Sequence, residues 1–235
     1  MRRFFPVIHC VDEKTARTAI GVAQAAGADG VFLIDQGNLS TQEVGDLARR
    51  IADEVTLKVG VNLLNQGADD VAPVIYGSRI SMWWADDGLA RGALRSVGPT
   101  LHGVSVADML STTEFFGGIA FKYQRAVAPE QFLDQVILSR GYHVNVVTTS
   151  GPGTGEPATL AKVEAMAGHV RLMNKTLHHE APQRLALASG ISLANIDGYL
   201  PFVDDFLVGS SIETSFGVFD AGRVQELSDR IHGGG

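Results

Sequence analysis

Three glycines, Gly151, Gly153 and Gly155, fall within the stretch TTSGPGTGEPA at residues 148–158. An apolar run leads into it and a helical pattern follows. Chains turn sharply in this way, and they also hold anions against backbone N–H groups in this way. Two further short glycine turns occur later, ASGIS at 188–192 and VGSSIE at 208–213. Three such turns brought together would cradle a phosphate. The plainer reading is that their glycines only permit tight turns. Lys122 interrupts the apolar run GIAFKYQ. A lysine there is costly unless it meets an anion or reaches water along its stem. We read it as a phosphate or carboxylate partner, or as a base.

Four aspartates make up the acidic half of the candidate chemistry: Asp12, Asp35, Asp86 and Asp87. Paired carboxylates bind Mg2+ or act as acid and base. Asp12 opens DEKTARTA and reads as a helix cap instead. Asp35, in LIDQGN, reads as functional. His9 stands beside Cys10 and is either an acid/base group or a bonded core histidine. Cys10 reads as a small core residue. His178 and His179 read as surface residues, and Lys58, early in its strand, as structural.

These groups need a scaffold that converges strand ends. Apolar strands are expected in FFPVIHCVD, VFLIDQG, LKVGVNLL, RISMWWADDG, GGIAFKYQ, HVNVVTTSG, RLALASGIS and DDFLVGSSIE. Helical patterns lie between most of them. EKTARTAIGVAQAAGADG places Ala16, Ala19, Ile20 and Ala23 on one face. In STQEVGDLARRIADE, Ser40 and Glu43 have the spacing of a capping box. A less regular region is expected from Leu89 to Phe115, and a long helix from Pro157 to about Glu180. SLANIDGYL offers a short helix capped by Ser192. Crossovers between apolar strands imply parallel pairing. Eight units in 235 residues predict one α/β domain, residues 1–235, folded as a (β/α)8 TIM barrel, for which roughly 250 residues is typical. An open doubly wound sheet is the alternative. In a barrel the catalytic groups sit at the C-terminal strand ends. Trp83 and Trp84 would then point to opposite faces, one towards the mouth, unless both are core.

The net charge of −7 argues against a nucleic-acid or anionic-membrane surface. No apolar run approaches transmembrane length. A single cysteine allows no internal disulfide and fits a reducing cytoplasm. Among assemblies, a homodimer is the commonest.

The segments GGIAFKYQ, TTSGPGTGEPA, LALASGISLANIDGYLPFVDDFLVGSSIE and GVFDAGRVQEL resemble the BtpA/SgcQ family. The order of elements is similar over most of the chain, most clearly in its second half. The opening PVIHCVDEK departs from the methionine-histidine start and proline- and glycine-rich loop of many members. The resemblance implies a barrel of the ribulose-phosphate-binding type. The family takes its name from a role in photosystem I accumulation, and some members are labelled phosphoribosyltransferases. The resemblance also implies Thr149, Ser150, Gly151, Thr154, Gly155, Ser189, Gly190, Gly209 and Ser210 as ligand contacts.

Two functional classes follow. The first is an enzyme on a phosphorylated sugar or nucleotide-like metabolite, an isomerase or a phosphoribosyltransferase. Lys122 would then stabilise charge or move a proton, with Asp35 and His9 or Asp86 as acid and base. Thr154 and Gly155 would face the ligand and Glu156 would start the next helix. A transferase with a pyrophosphate donor would call for Mg2+ on the aspartates. The second class is a non-catalytic metabolite-binding or assembly protein, as in photosystem I biogenesis.

Overall fold

The computed structural model describes residues 1–89, 100–101, 104–124, 126–177 and 182–233. Eight strands form a closed, all-parallel barrel: β1 (Arg3–His9), β2 (Gly30–Ile34), β3 (Lys58–Asn62), β4 (Met82–Ala85), β5 (Glu114–Gly118), β6 (Val146–Ser150), β7 (Arg184–Ala188) and β8 (Asp205–Val208). Register pairs such as Arg3 with Asp205 and Val7 with Phe32 close β1 onto β8 and β2. The helices are α1 (Glu13–Ala25), α2 (Thr41–Glu54), α3 (Ala68–Ile75), α4 (Val106–Leu110), α5 (Phe132–Gly141), α6 (Leu160–Leu177), α7 (Ile196–Tyr199) and α8 (Ala221–Gly233). The expected TIM barrel is therefore present. His178, His179 and, in the irregular region, residues 90–99 and 102–103 lie outside the described residues.

Local chemistry explains the helix starts. Asp12 accepts a bond from the Thr15 amide at 2.7 Å and caps α1. Ser40 and Glu43 form the expected capping box of α2. Three boundaries differ from expectation. β5 ends at Gly118, so GGIAFKYQ is mostly the loop beyond it. Ile119 and Phe121 are buried within that loop, and their apolar character mimics a strand. Ala120 and Tyr123 have φ of 48° and 59°, which breaks any extended run. The helix α6 begins at Leu160, leaving Glu156 in the loop before it. Asn195, not Ser192, precedes α7, and its side chain accepts from the Ser192 amide at 2.9 Å.

Strand alternation sorts side chains into two cores. Phe5, Phe32, Met82, Trp84, Phe116 and Leu207 fill the barrel, whereas Phe4, Val31, Leu33, Trp83 and Phe115 face the helices. The Phe32 and Phe116 rings meet edge to face at 4.9 Å. Outside the barrel, Trp83 stacks on Phe115 at 3.8 Å.

A charged floor closes the N-terminal end of the barrel. Arg3 bonds Asp205 at 2.5 Å and Glu114 at 2.8 Å, and Arg184 bonds Asp205 at 2.6 Å. Asp205 is fully buried. Burial opposes the charge on Arg3, but bonds to Asp205 and Glu114 outweigh it and hold its pKa above the ordinary value. Removing one partner of a buried pair strands the others. Asp205→Asn keeps the shape and deletes the charge. Urea unfolding is expected to show a loss of about 3 kcal/mol or more at unchanged slope. A loss below about 1 kcal/mol would instead fit a solvated surface pair.

Candidate active site in the barrel mouth

The C-terminal rim encloses two adjoining lobes of about 440 and 420 Å³. They share Ile34, Gln36, Trp84, Lys122 and Thr154 as a common wall. The first lobe lies over β1, β7 and β8, beside His9, Gly155, Ser189, Gly190, Gly209 and Ser210. The second lies over β3 and β4, beside Asn62, Asp86, Asp87, Tyr123 and Gln124.

Lys122 reaches the shared wall because its loop doubles back. Its backbone N–H donates to Ser150 Oγ at 2.8 Å. Its ammonium donates to Ser189 Oγ at 3.1 Å and Thr154 Oγ1 at 3.2 Å. Both partners are neutral hydroxyls, so the charge remains available to an anion. Tyr123 ties the same loop to the next one: its hydroxyl accepts from the Thr154 amide at 3.1 Å.

Gly190, Ser210 and Ser211 also line the first lobe. Ser210 and Ser211 open a 3-10 turn after β8, so their amides have no acceptor within that turn. Among the described residues they donate to no other protein group, and neither does the amide of Gly190. Gly190 has φ of +69°, and a Cβ there would lie 2.4 Å from Pro157 N. A Cβ on Gly151 would lie 2.0 Å from Glu156 O. Both glycines are thus required by the close approach of the Glu156–Pro157 peptide. That approach sets the β6 and β7 loops side by side.

His9 lines the first lobe and is oriented from behind. Its Nδ1 lies 2.6 Å from Glu213 Oε1. The Phe216 ring stacks on it at 4.6 Å. The same Glu213 oxygen accepts from the Gly217 amide at 3.1 Å, closing the hairpin Glu213–Ser215 with Val218–Phe219. With Nδ1 committed, Nε2 is the nitrogen left for a ligand.

Four sequence-derived site residues do not line either lobe. Asp35 follows inward-facing Ile34 and so turns away. It accepts from Thr41 Oγ1 at 2.5 Å and from the Leu64 amide at 2.7 Å, bracing two loops. Thr149 shares the outward face of β6 with Val147, and its buried hydroxyl has no partner among the described residues. Ser150 is spent on the Lys122 amide and on Gly151 O at 2.9 Å. Gly151 serves the loop approach described above. Asp86 does reach the second lobe, where Asn62 donates to it at 3.1 Å. Cys10 is buried, its thiol pushed up to about 12 by burial. Among the described residues no three His, Cys, Asp or Glu side chains converge as a metal site, and no helix is long and apolar enough to cross a membrane.

Known structures share this architecture. The chain superposes on phosphoribosyl anthranilate isomerase from Pyrococcus furiosus with TM-score 0.66 at 13% identity, covering 99% of this chain and 100% of that one. The enzyme of the same name from Thermus thermophilus gives 0.65 at 15%, covering 99% of each. A structure described as native KDPGal gives 0.62 at 9%, covering 98% and 92%. The chain is a TIM barrel. Identities this low establish the barrel and leave its chemistry to its own residues. No family model and no curated protein matches the sequence.

Two residues that sequence reasoning passed over organise this mouth. Glu213 closes VGSSIE, yet it lies 204 residues from His9, and no spacing rule links them. Lys162 looks like an ordinary surface lysine in the first turn of α6. Its ammonium instead donates to Ala120 O at 2.5 Å and Ser150 O at 2.7 Å. Burial lowers its pKa from 10.5 to about 8. Above that pH the folded chain has lost a proton that the unfolded chain still holds. Stability should therefore rise with pH from about 8 to 10.5. After solvent screening the rise is expected to be roughly 1–2 kcal/mol. Lys162→Met should lack the rise in denaturant titrations across that range. An identical slope in both proteins would refute the assignment.

Proposed function

We propose that this chain is an enzyme that isomerises a phosphorylated sugar or closely related metabolite. One observation carries the reading: a single cavity joins backbone amides and an ammonium that meet no anion among the described residues, and a histidine backed by a carboxylate. The amides of Gly190, Ser210 and Ser211 suit a phosphate, since such turns place partial positive charge at its oxygens. His9 Nε2 would take a proton from the hydroxyl-bearing carbon next to a carbonyl and return it to the carbonyl carbon, while the hydroxyl proton passes to the former carbonyl oxygen. Lys122 would balance the charge that develops on the carbonyl oxygen between those steps. The resemblance of the glycine loops to the BtpA/SgcQ family favours the same rim. The transferase alternative is less well supported, because Asp35 faces away from the mouth and Asp86 and Asp87 are joined there by no third carboxylate, histidine or cysteine among the described residues.

The first test is binding of ribose 5-phosphate, ribulose 5-phosphate and phosphoribosyl pyrophosphate, each with and without Mg2+. A ligand at about 100 times its Kd should stabilise the fold by roughly 2.7 kcal/mol, a clear thermal shift. The bound compound is then followed by NMR in D2O for exchange of its carbon-bound proton. His9→Gln should slow that exchange by about 10²–10⁴ while binding holds. Lys122→Met should weaken both. Silence towards every phosphorylated compound would remove the phosphate reading. Unchanged exchange in His9→Gln would remove the histidine from the mechanism.

A further inference from the structure

The second lobe has no task in a reaction confined to a small sugar phosphate. At about 420 Å³ it matches the first in size. Each lobe is large enough for a small molecule, for which about 300–1,000 Å³ is usual. A sugar phosphate seated on the amides of the first lobe leaves the second for another part of the same ligand. Two aromatic side chains line that second lobe, Trp84 and Tyr123. Trp84 is nearly buried and belongs to the barrel filling. Tyr123 is different. It is 78% exposed, the most open aromatic ring among the described residues.

Exposure of this kind is normally accompanied by freedom. Tyr123 has little. Its backbone sits at φ 59°, a conformation that side chains other than glycine and asparagine rarely adopt. Its hydroxyl is held by the Thr154 amide and lies 3.1 Å from Thr154 Oγ1. Its Lys122 neighbour places an ammonium 5.9 Å from the ring centroid. The ring is thus fixed at the rim without serving the core. Aromatic surfaces displayed in this way bind other flat surfaces, because stacking removes apolar area from water while leaving ring edges free for hydrogen bonds. Asn62 and Gln66 stand on the same lobe and could meet such edges with donors and acceptors.

We infer that Tyr123 is a stacking platform, and that the ligand is a sugar monophosphate carrying a planar, hydrogen-bonding ring. The phosphate lies in the first lobe, the sugar passes Lys122 and Thr154, and the ring lies on Tyr123 in the second. This rests on the phosphate reading above and narrows its substrate class to nucleotide-like compounds. The competing role for Tyr123 is a latch: its hydroxyl merely fastens the β5 loop to the β6 loop.

Calorimetric titration of ribose 5-phosphate, AMP and UMP into the wild type, Tyr123→Phe and Tyr123→Leu separates these. The platform predicts that at least one nucleotide binds wild type about tenfold or more tighter than ribose 5-phosphate. Tyr123→Phe, which keeps the ring, should keep that margin. Tyr123→Leu should erase it, while ribose 5-phosphate binds Tyr123→Leu and Tyr123→Phe alike. A latch would instead weaken all ligands together in both variants, which overturns the platform. Ribose 5-phosphate binding with no margin for either nucleotide overturns this inference and leaves the phosphate reading standing. Absence of binding by all three compounds removes both.

Discussion

A half-buried ammonium, that of Lys162, braces the mouth. Lys162 enters from the first turn of α6, where the helix dipole already disfavours a cation. Burial adds to that cost. In return it ties Ala120 O, in the loop after β5, to Ser150 O at the end of β6. Ser150 then receives the Lys122 amide, and Lys122 in turn reaches Ser189 and Thr154. Three rim loops are thereby referred to one point. Backbone carbonyls that would otherwise be left in a dry corner find a donor. Lys162 shares the loop after β5 with the Ile119 amide, which donates to Thr148 O at 2.8 Å, and with the Lys122 amide on Ser150 Oγ, so several bonds together offset the entropy of fixing it.

The barrel was legible from the strand pattern because apolar runs on both faces leave few alternatives. Its boundaries were harder, and boundaries decide function here. In GGIAFKYQ the apolar residues Ile119 and Phe121 are buried by a loop that folds inward, so hydrophobicity extends past the last ladder bond. Lys122 was found as a chemical outlier even though its element was misread. Asp35 shows the opposite failure. It stands at a strand end, but one position from Ile34 is enough to turn it out of the barrel. Thr149 falls to the same alternation. Reading a polar residue at a strand end is therefore insufficient; its parity relative to the inward core has to be counted as well.

The remaining part of the site was not written in side chains. In the proposed site Gly190, Ser210 and Ser211 would contribute amides, and an amide's availability depends on the turn around it rather than on residue type. Glycines flag such turns, which is why the loops after β6, β7 and β8 stood out. They do not say which glycine faces a ligand and which faces a neighbouring peptide. Gly151 and Gly190 both accept the close approach of Glu156–Pro157, yet only Gly190 also lines the cavity. Glu213 lies beyond sequence reasoning for a different reason: its partner His9 comes from the other end of the chain, joined only once β1 and β8 pair.

The barrel shared with the isomerases and with native KDPGal fixes where loops converge, and at 9–15% identity the likeness extends to the fold alone. In this rim one cation is shared between two lobes. Lys122 stands in the wall common to both lobes, between amides on one side and an exposed aromatic ring on the other. A charge placed there acts on whatever joins the two halves of a ligand, not on its ends. On the proposed reading, the amides and the ring would fix the ends, leaving Lys122 at the middle with His9 beside it in the first lobe, where bonds would be rearranged. Binding energy collected at the remote parts is in this way available to orient the reacting centre.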